Sequence, residues 1–389
     1  MPWIFTINPG STSTKAALFH DSRCVFESVV RHDHAALAAL PTLQDQIPLR
    51  LAAIEQALAQ AIIQAAQQDP AAPASPAEID AFVGRGGLLR PLASGTYSIN
   101  PEMLQDLTAN RYGTHASNLG APIAFGLANH HASRSTSQLP GRDPADLPSS
   151  AALPKPAFIV DPVTVDEMEP LARYTGLPQL KRLSRFHALN QKAIARRAAA
   201  QLGRPYNELN LIITQRGGGI SVAAHRHGRV IDVNNALEEG PFSPERSGTL
   251  PTLQLLDLIE SQTYAPAQIR SLLVGRGGLF AYTGTADAKT IEEDAQHDPQ
   301  KHELLLAMAY QVAKTIGAMA IPLQGQIDAI VLTGGLARSA ILTDFIREHT
   351  DFLAPVLLLP GEDEMLAMAE GALRVLTGQE IPKTYEREV

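Results

Sequence analysis

The chain has 389 residues, 45% of them hydrophobic and 19% charged, with a formal net charge of −8. That size and balance suit a globular protein of two ordinary domains, and an acidic chain with no long basic run lacks a nucleic-acid footprint. Cys24 is the only cysteine, so no intrachain disulfide can form, no apolar run reaches membrane-spanning length, and the first residues lack a signal-peptide pattern. A cytoplasmic protein with neither membrane nor nucleic-acid partner is therefore expected.

The stretch Ile4–Phe19 reads as strand, turn, strand. The turn Asn8-Pro9-Gly10-Ser11-Thr12-Ser13-Thr14-Lys15 brings backbone N–H groups, hydroxyls and a cation together, which suits phosphate oxygens. It is not a Walker loop, since the G-x-x-x-x-G-K-[ST] spacing is absent and a strand follows. An ordinary polar hairpin is the alternative reading. Arg23–Val30 continues as a third strand. Pro48–Gln68 carries Leu51, Ile54, Leu58 and Ile62 on one helical face, with the proline in the first turn, and Asp69–Ser75 is a loop. Ile79–Pro91 is a strand ending in Gly84-Arg85-Gly86-Gly87, where an arginine would meet a ligand with little bulk around it. Arg111–Ala124 sets His115 and Asn118 among small residues.

Ser133–Pro156 is Pro/Ser-rich without a period and reads as an exposed excursion. Phe158–Asp166 reads as an apolar strand with Asp161 inside it, an acid that is either paired and buried or turned to a cleft. Leu183–Leu202 reads as a helix with His187 near its start. Leu211–Asp232 is again strand, turn, strand, followed by a loop at Phe242–Pro251 carrying Arg246. Ser271–Thr285 contains Gly277-Gly278. Lys301–Leu323 is an amphipathic helix, Ile327–Ser339 a strand running into Gly334-Gly335, and Leu366–Leu376 a closing helix.

An internal repeat organises these elements. Ile4–Phe26 and Leu211–Val233 share one pattern, the second with Arg216-Gly217-Gly218-Gly219 in its turn. IDAFVGRGGLLR at Ile79–Arg90 parallels IDAIVLTGGLAR at Ile327–Arg338. The pattern predicts an α/β protein of duplicated actin/hexokinase-like (ribonuclease H-type) two-domain fold, with the nucleotide cleft between the lobes.

INPGSTSTKAALF at Ile7–Phe19, GRGGLLRP at Gly84–Pro91, HASNLGAPIA at His115–Ala124 and FIVDPVTVDEM at Phe158–Met168 together resemble the butyrate kinases (branched-chain fatty-acid kinases) of the acetokinase family. So do RFHALNQKAIARRAA at Arg185–Ala199, GGGISVAAHRHGRVIDVNNAL at Gly217–Leu237, GPFSPERSGTLP at Gly240–Pro251 and PGEDEMLAMAEGALRVL at Pro360–Leu376. The matches keep their order over nearly the whole chain. Two features depart from that family: Gln215-Arg216 stands where His-Leu is usual, and the Ser133–Pro156 excursion is longer.

The resemblance implies reversible, ATP-dependent phosphorylation of a short-chain carboxylate to an acyl phosphate, with magnesium. It implies an N-terminal lobe over residues 1–175, completed by 364–389, and a C-terminal lobe over 176–363. Arg85 and Arg246 match the family's active-site arginines, His187 the histidine beside the transferring phosphoryl, and Asp161 a carboxylate in the cleft. Asn8, Ser11, Ser13, Lys15 and Gly217, Gly218, Gly219 would meet phosphates, and Gly334, Gly335 and Arg338 the nucleoside. Asn8 and Glu364 would hold the metal, with Glu362 and Asp363 as alternative registers for the acid. A homo-oligomer is also implied. Rival readings are an acetate or propionate kinase, or a non-catalytic nucleotide-binding regulator on the same fold. His130-His131 and His225/His227 lack cysteines and standard zinc spacing and read as solvated turn histidines.

Overall fold

The computed structural model describes residues 1–135 and 155–386. The chain divides into two compact units, Met1–Thr164 with Asp363–Val389, and Val165–Glu362. The first begins β1 (Trp3–Pro9), β2 (Ser13–His20), β3 (Arg23–Arg31), α1 (His34–Ala38), α2 (Ile47–Gln68), β4 (Ala81–Arg85), β5 (Thr96–Ser98), α3 (Pro101–Thr108), α4 (Gly120–Ser135) and β6 (Ala157–Val160). The second contains α5 (Ala188–Leu202), β7 (Asn210–Arg216), β8 (Ile220–Arg226), β9 (Arg229–Val233), α6 (Thr252–Glu260), α7 (Pro266–Leu273), α8 (Leu279–Thr283) and α9 (Ala288–Asp294). It ends with α10 (Pro299–Ala320), β10 (Ala329–Gly334), α11 (Ala340–Thr350) and β11 (Val356–Pro360), after which α12 (Glu364–Leu376) and β12 (Lys383–Thr384) complete the first unit.

The repeat expected from the sequence is present strand by strand. The first sheet has the order β12-β5-β6-β4-β1-β2-β3 and the second β11-β10-β7-β8-β9. In each, a three-stranded antiparallel meander is followed by two strands added in parallel. Even the irregularity repeats: the register of β2 on β3 shifts at Leu18/Phe19, and that of β8 on β9 at Ala224/His225.

Strand alternation distributes side chains to the two faces of each sheet. In the first unit, Phe5, Ile7, Ala16 and Leu18 join Ile54, Leu58 and Ile62 of α2 in one core. The α2 stripe forms because these residues recur every three or four positions. In the second, Ile212, Ile220 and Val222 pack with Met308, Val312 and Ile316 of α10, while Leu211 and Ile213 pack with Ile194 and Ala198 of α5. Strands covered on both faces read as continuous apolar runs, as these do.

One close approach sets the position of Arg85. A Cβ on Gly84 would lie 2.2 Å from the carbonyl oxygen of Gly120, and one on Gly120 would lie 2.3 Å from that of Arg85. Glycine at both places lets α4 press against β4. Gly84→Ala is expected to cost about 1–3 kcal/mol through overpacking, read as a lower melting temperature; an unchanged melt would show that α4 has room to move.

Two expected elements are shorter than their hydrophobic runs. The strand at Phe158–Asp166 stops at Val160, because Asp161 adopts φ +38 and leaves the ladder. The helix at Leu183–Leu202 starts only at Ala188: Ser184 and Phe186 are buried in irregular chain, Phe186 packing with Val165 and Met168. The Pro/Ser-rich stretch contributes its first residues to α4, and residues 136–154 lie outside the described residues.

Candidate functional site

In the first unit the structure brings Asn8, Arg85 and Glu364 together. Asn8 lies near the end of β1, and Arg85 ends the neighbouring parallel strand β4, where Ile7 pairs with Gly84. Glu364 opens α12. Its Oε2 accepts from Asn8 Nδ2 at 2.7 Å, and its Oε1 lies 3.1 Å from Arg85 Nη2. Arg85 is only 8% exposed, and its Nη1 is buried with no hydrogen-bond partner among the described residues. A buried guanidinium nitrogen left open in this way is a donor for an anion.

The three consecutive acids at 362–364 have separate roles. Glu364 meets Asn8 and Arg85; Asp363 caps α12, accepting from Leu366 N at 3.0 Å; Glu362 belongs to the second unit and accepts from Gln215 Nε2. Sequence alone leaves this register open because the acids are adjacent.

The β1–β2 turn is held from behind by a residue that sequence reasoning missed. Arg50 of α2 is fully buried and donates to the carbonyls of Gly10 (2.9 Å), Ser11 (2.8 Å) and Ser13 (3.2 Å) and to Thr14 Oγ1 (3.1 Å). Burial lowers its pKa. With those carbonyls turned to Arg50, the exposed side chains of Ser11 and Lys15 and the half-buried Ser13 stand on the hairpin turn. Its signal was an arginine amid an apolar helix stripe.

Asp161 follows the end of β6, the strand next to β4. It is buried, and its Oδ1 accepts from Ser94 Oγ at 2.5 Å and Gly95 N at 2.8 Å. These bonds tie it to the loop before β5.

In the second unit, β7 and β8 are joined by Gly217-Gly218-Gly219, closed by Gly217 N donating to the Gly219 carbonyl at 3.0 Å. Arg246 lies against this turn: a Cβ on Gly219 would fall 2.0 Å from Arg246 Nη1. That nitrogen donates to the Ala236 carbonyl at 2.8 Å, while Nε has no hydrogen-bond partner among the described residues. Burial lowers the Arg246 pKa, and the neighbouring Glu245 opposes that shift. Ser243 braces the arrangement, donating through Oγ to the Gly218 carbonyl at 2.5 Å. The Gly277-Gly278 pair lies beneath the same loop, where Leu279 N donates to the Ser243 carbonyl at 3.1 Å.

Gly334 ends β10, and its backbone exchanges hydrogen bonds with Gly361 at 3.3 and 3.1 Å; Gly335 and Arg338 are exposed on the turn that follows. His187 immediately precedes α5, and its Nδ1 lies 2.9 Å from Ser221 Oγ on β8.

The two residues preceding the glycine turn follow strand alternation. Gln215 faces α5, accepting from Asn190 and donating to Glu362. Arg216 faces the opposite core with Ile220, Met308, Val312, Leu336, Leu342 and Ile346. It is 1% exposed, and none of its three guanidinium nitrogens has a hydrogen-bond partner among the described residues. Burial lowers its pKa to about 10.

Three of the four histidines read as solvated turn residues differ from that expectation. His225 is fully buried in β8, and His131 is buried on α4, where its ring stacks with that of His130. His227 does occupy a turn, with φ +50. Glu55, His130 and His131 have ligand atoms within 4.8 Å of one another. The strand pattern of β8 carried the signal for His225, since its alternate neighbours Ala223 and Ser221 are both small and buried.

These geometries can be set beside known proteins. The chain is 48% identical over 385 residues to a protein from Coprothermobacter proteolyticus named a probable butyrate kinase, covering 98% of this chain and 99% of that one. The chain belongs to the acetokinase family. The family's own profile matches residues 179–353. The fold is that of acetate kinase from Porphyromonas gingivalis, with TM-score 0.72, 19% identity and coverage of 97% and 100% of the two chains. A propionate kinase from Francisella tularensis matches with TM-score 0.66, 16% identity and coverage of 95% and 99%. Among the described residues no helix is long and apolar enough to cross a membrane.

Proposed function

We propose that this acetokinase-family protein transfers the terminal phosphoryl group of ATP to butanoate, reversibly, forming butanoyl phosphate and ADP. The observation that carries this reading is the near full-length likeness to the protein named a probable butyrate kinase. The open guanidinium nitrogens of Arg85 and Arg246 support it, because the reaction joins a carboxylate to a triphosphate and needs cations for both.

In this reading Arg85 and Arg246 hold carboxylate and phosphoryl oxygens through paired N–H donors, which a lysine does not offer. His187 donates to the oxygens of the group in flight. Ser11, Ser13, Lys15 and Gly217–Gly219 meet phosphates, and Gly334, Gly335 and Arg338 line the nucleoside. Asp161 shapes the loop at Ser94 and Gly95 beside the substrate. Asn8 and Glu364 offer a hard-oxygen set of one amide and one carboxylate, the sparse set magnesium takes when phosphates and waters complete its shell. When bound, magnesium neutralises phosphate charge. The protein works as a homo-oligomer in the cytoplasm.

Incubating the protein with ATP, magnesium and butanoate in the presence of hydroxylamine is expected to yield butanoyl hydroxamate. A series from acetate to valerate should peak in kcat/KM at four carbons, each methylene being worth roughly 1–3 kcal/mol. A peak at two or three carbons would instead identify an acetate or propionate kinase. Nucleotide binding with no hydroxamate from any acid would point to a non-catalytic regulator.

A further inference from the structure

We infer that Gln191, Ser221 and His225 form a directed hydrogen-bond relay that holds the proton of His187 on Nε2. The inference rests on the reading of His187 as a donor to the transferring phosphoryl, and it concerns residues to which no role has been given above.

The direction of each bond follows from atoms that can only accept. The Ser221 carbonyl lies 3.1 Å from one terminal atom of the Gln191 side chain, so that atom is the amide nitrogen. The same nitrogen reaches Ser221 Oγ at 2.8 Å. Gln191 Oε1 therefore faces His225 Nε2 at 3.0 Å, and a carbonyl oxygen there requires that His225 carry its hydrogen on Nε2. His225 is fully buried, and burial, with the charges of Lys192 and Arg196, pushes its pKa well down. Its ring is neutral, so Nδ1 is an acceptor, and it takes the Tyr206 hydroxyl at 2.7 Å.

The remaining hydrogen is that of the Ser221 hydroxyl. Ser221 is fully buried and its oxygen already accepts from Gln191. Among the described residues its one acceptor is His187 Nδ1, at 2.9 Å. The reverse assignment, with His187 donating from Nδ1, would leave a buried hydroxyl hydrogen with no acceptor. His187 Nδ1 is thus the accepting nitrogen, and Nε2 carries the hydrogen that a phosphoryl oxygen needs.

Strand and helix geometry make the relay possible. Ser221 and His225 are four residues apart on β8 and so share a face, with only Ala223 on that face between them. Gln191 stands one helical turn beyond His187 on the facing side of α5 and reaches both. These three are positioning residues, since they act through His187.

Proton–nitrogen correlation NMR on protein carrying isotope-labelled histidine tests the assignment directly. The wild type is expected to show His187 with a protonated Nε2 and a bare Nδ1. In Ser221→Ala and Gln191→Met the two nitrogens should move toward averaged shifts. In both variants kcat should fall about tenfold, less than the 10²–10³ lost when a catalytic donor itself is removed. KM for both substrates should stay near wild type, and Ser221→Thr should restore the wild-type spectrum. A wild-type His187 protonated on Nδ1, or variant spectra identical to wild type, would overturn the relay. Full kcat in His187→Gln with the wild-type proton still on Nε2 would uphold the relay and overturn the catalytic reading of His187.

Discussion

Arg246→Ala and Arg85→Ala are each expected to lower kcat for hydroxamate formation by about 10³-fold or more, the range seen when an arginine that meets transition-state charge is removed. That loss corresponds to about 4 kcal/mol. The expectation comes from what each guanidinium lacks. Arg85 spends one nitrogen on Glu364 and leaves Nη1 buried and open, and Arg246 spends Nη1 on the Ala236 carbonyl and leaves Nε open. Oxygens of an anionic ligand would satisfy both. Lysine should not rescue either position, because one ammonium cannot reproduce two parallel donors. His130→Ala serves as the control and should keep full activity, since its ring bonds Glu55 at 2.7 Å on the exposed side of α4. Equal activity in the two arginine variants and the control would remove both arginines from the reaction.

Arg216→Leu is expected to raise thermal stability. Burial holds the Arg216 guanidinium at about 10, below its ordinary value, in an apolar pocket with no hydrogen-bond partner among the described residues. The difference corresponds to about 3 kcal/mol against the charged form. Leucine removes the charge and offers its methyl groups to Met308, Val312 and Ile346. The melting temperature should rise by several degrees, on the order of 2–4 °C per kcal/mol for a unit of this size. The pH dependence has a defined sign. Below about pH 10 the arginine is charged in both folded and unfolded chains, and the full penalty applies. As pH rises above about 10 the folded form loses its proton before the unfolded chain does, and the penalty fades. The advantage of the leucine variant should therefore be constant near neutrality and shrink above about pH 10. A variant that melts below wild type would show that the guanidinium has a compensating role.

Arg216 and Gln215 also show how strand alternation converts a sequence departure into two different consequences. Gln215 projects to the α5 side, where Asn190 and Glu362 satisfy its amide. Arg216 projects to the α10 side, where every residue lining its pocket is apolar. One position is accommodated by polar neighbours, and the next buries an uncompensated charge.

Much of the architecture was legible because it is written in short-range patterns. Apolar runs broken by Gly/Ser turns marked the two hairpins, and a three-to-four residue stripe marked α2. The paired Ile-Asp-Ala…Gly-Gly segments exposed the duplication that the two sheets then reproduced down to their register shifts. The strands β5, β11 and β12 were not legible. β5 and β12 have three and two residues, too few to show an alternation, and β11, Val-Leu-Leu-Leu-Pro, is a bare apolar run that has none.

By itself, then, the amino-acid order determined the duplicated fold, its glycine turns and the family, because periodicity and turn chemistry act over a few neighbouring residues. Only the tertiary structure decided which of the acids at 362–364 meets Arg85, that Arg50 grips the hairpin from behind, and that Gln191 aligns Ser221 with His187. Those contacts join residues far apart in the chain, or choose among adjacent acids, and hydrogen bonds of that kind depend on where the backbone has already been carried.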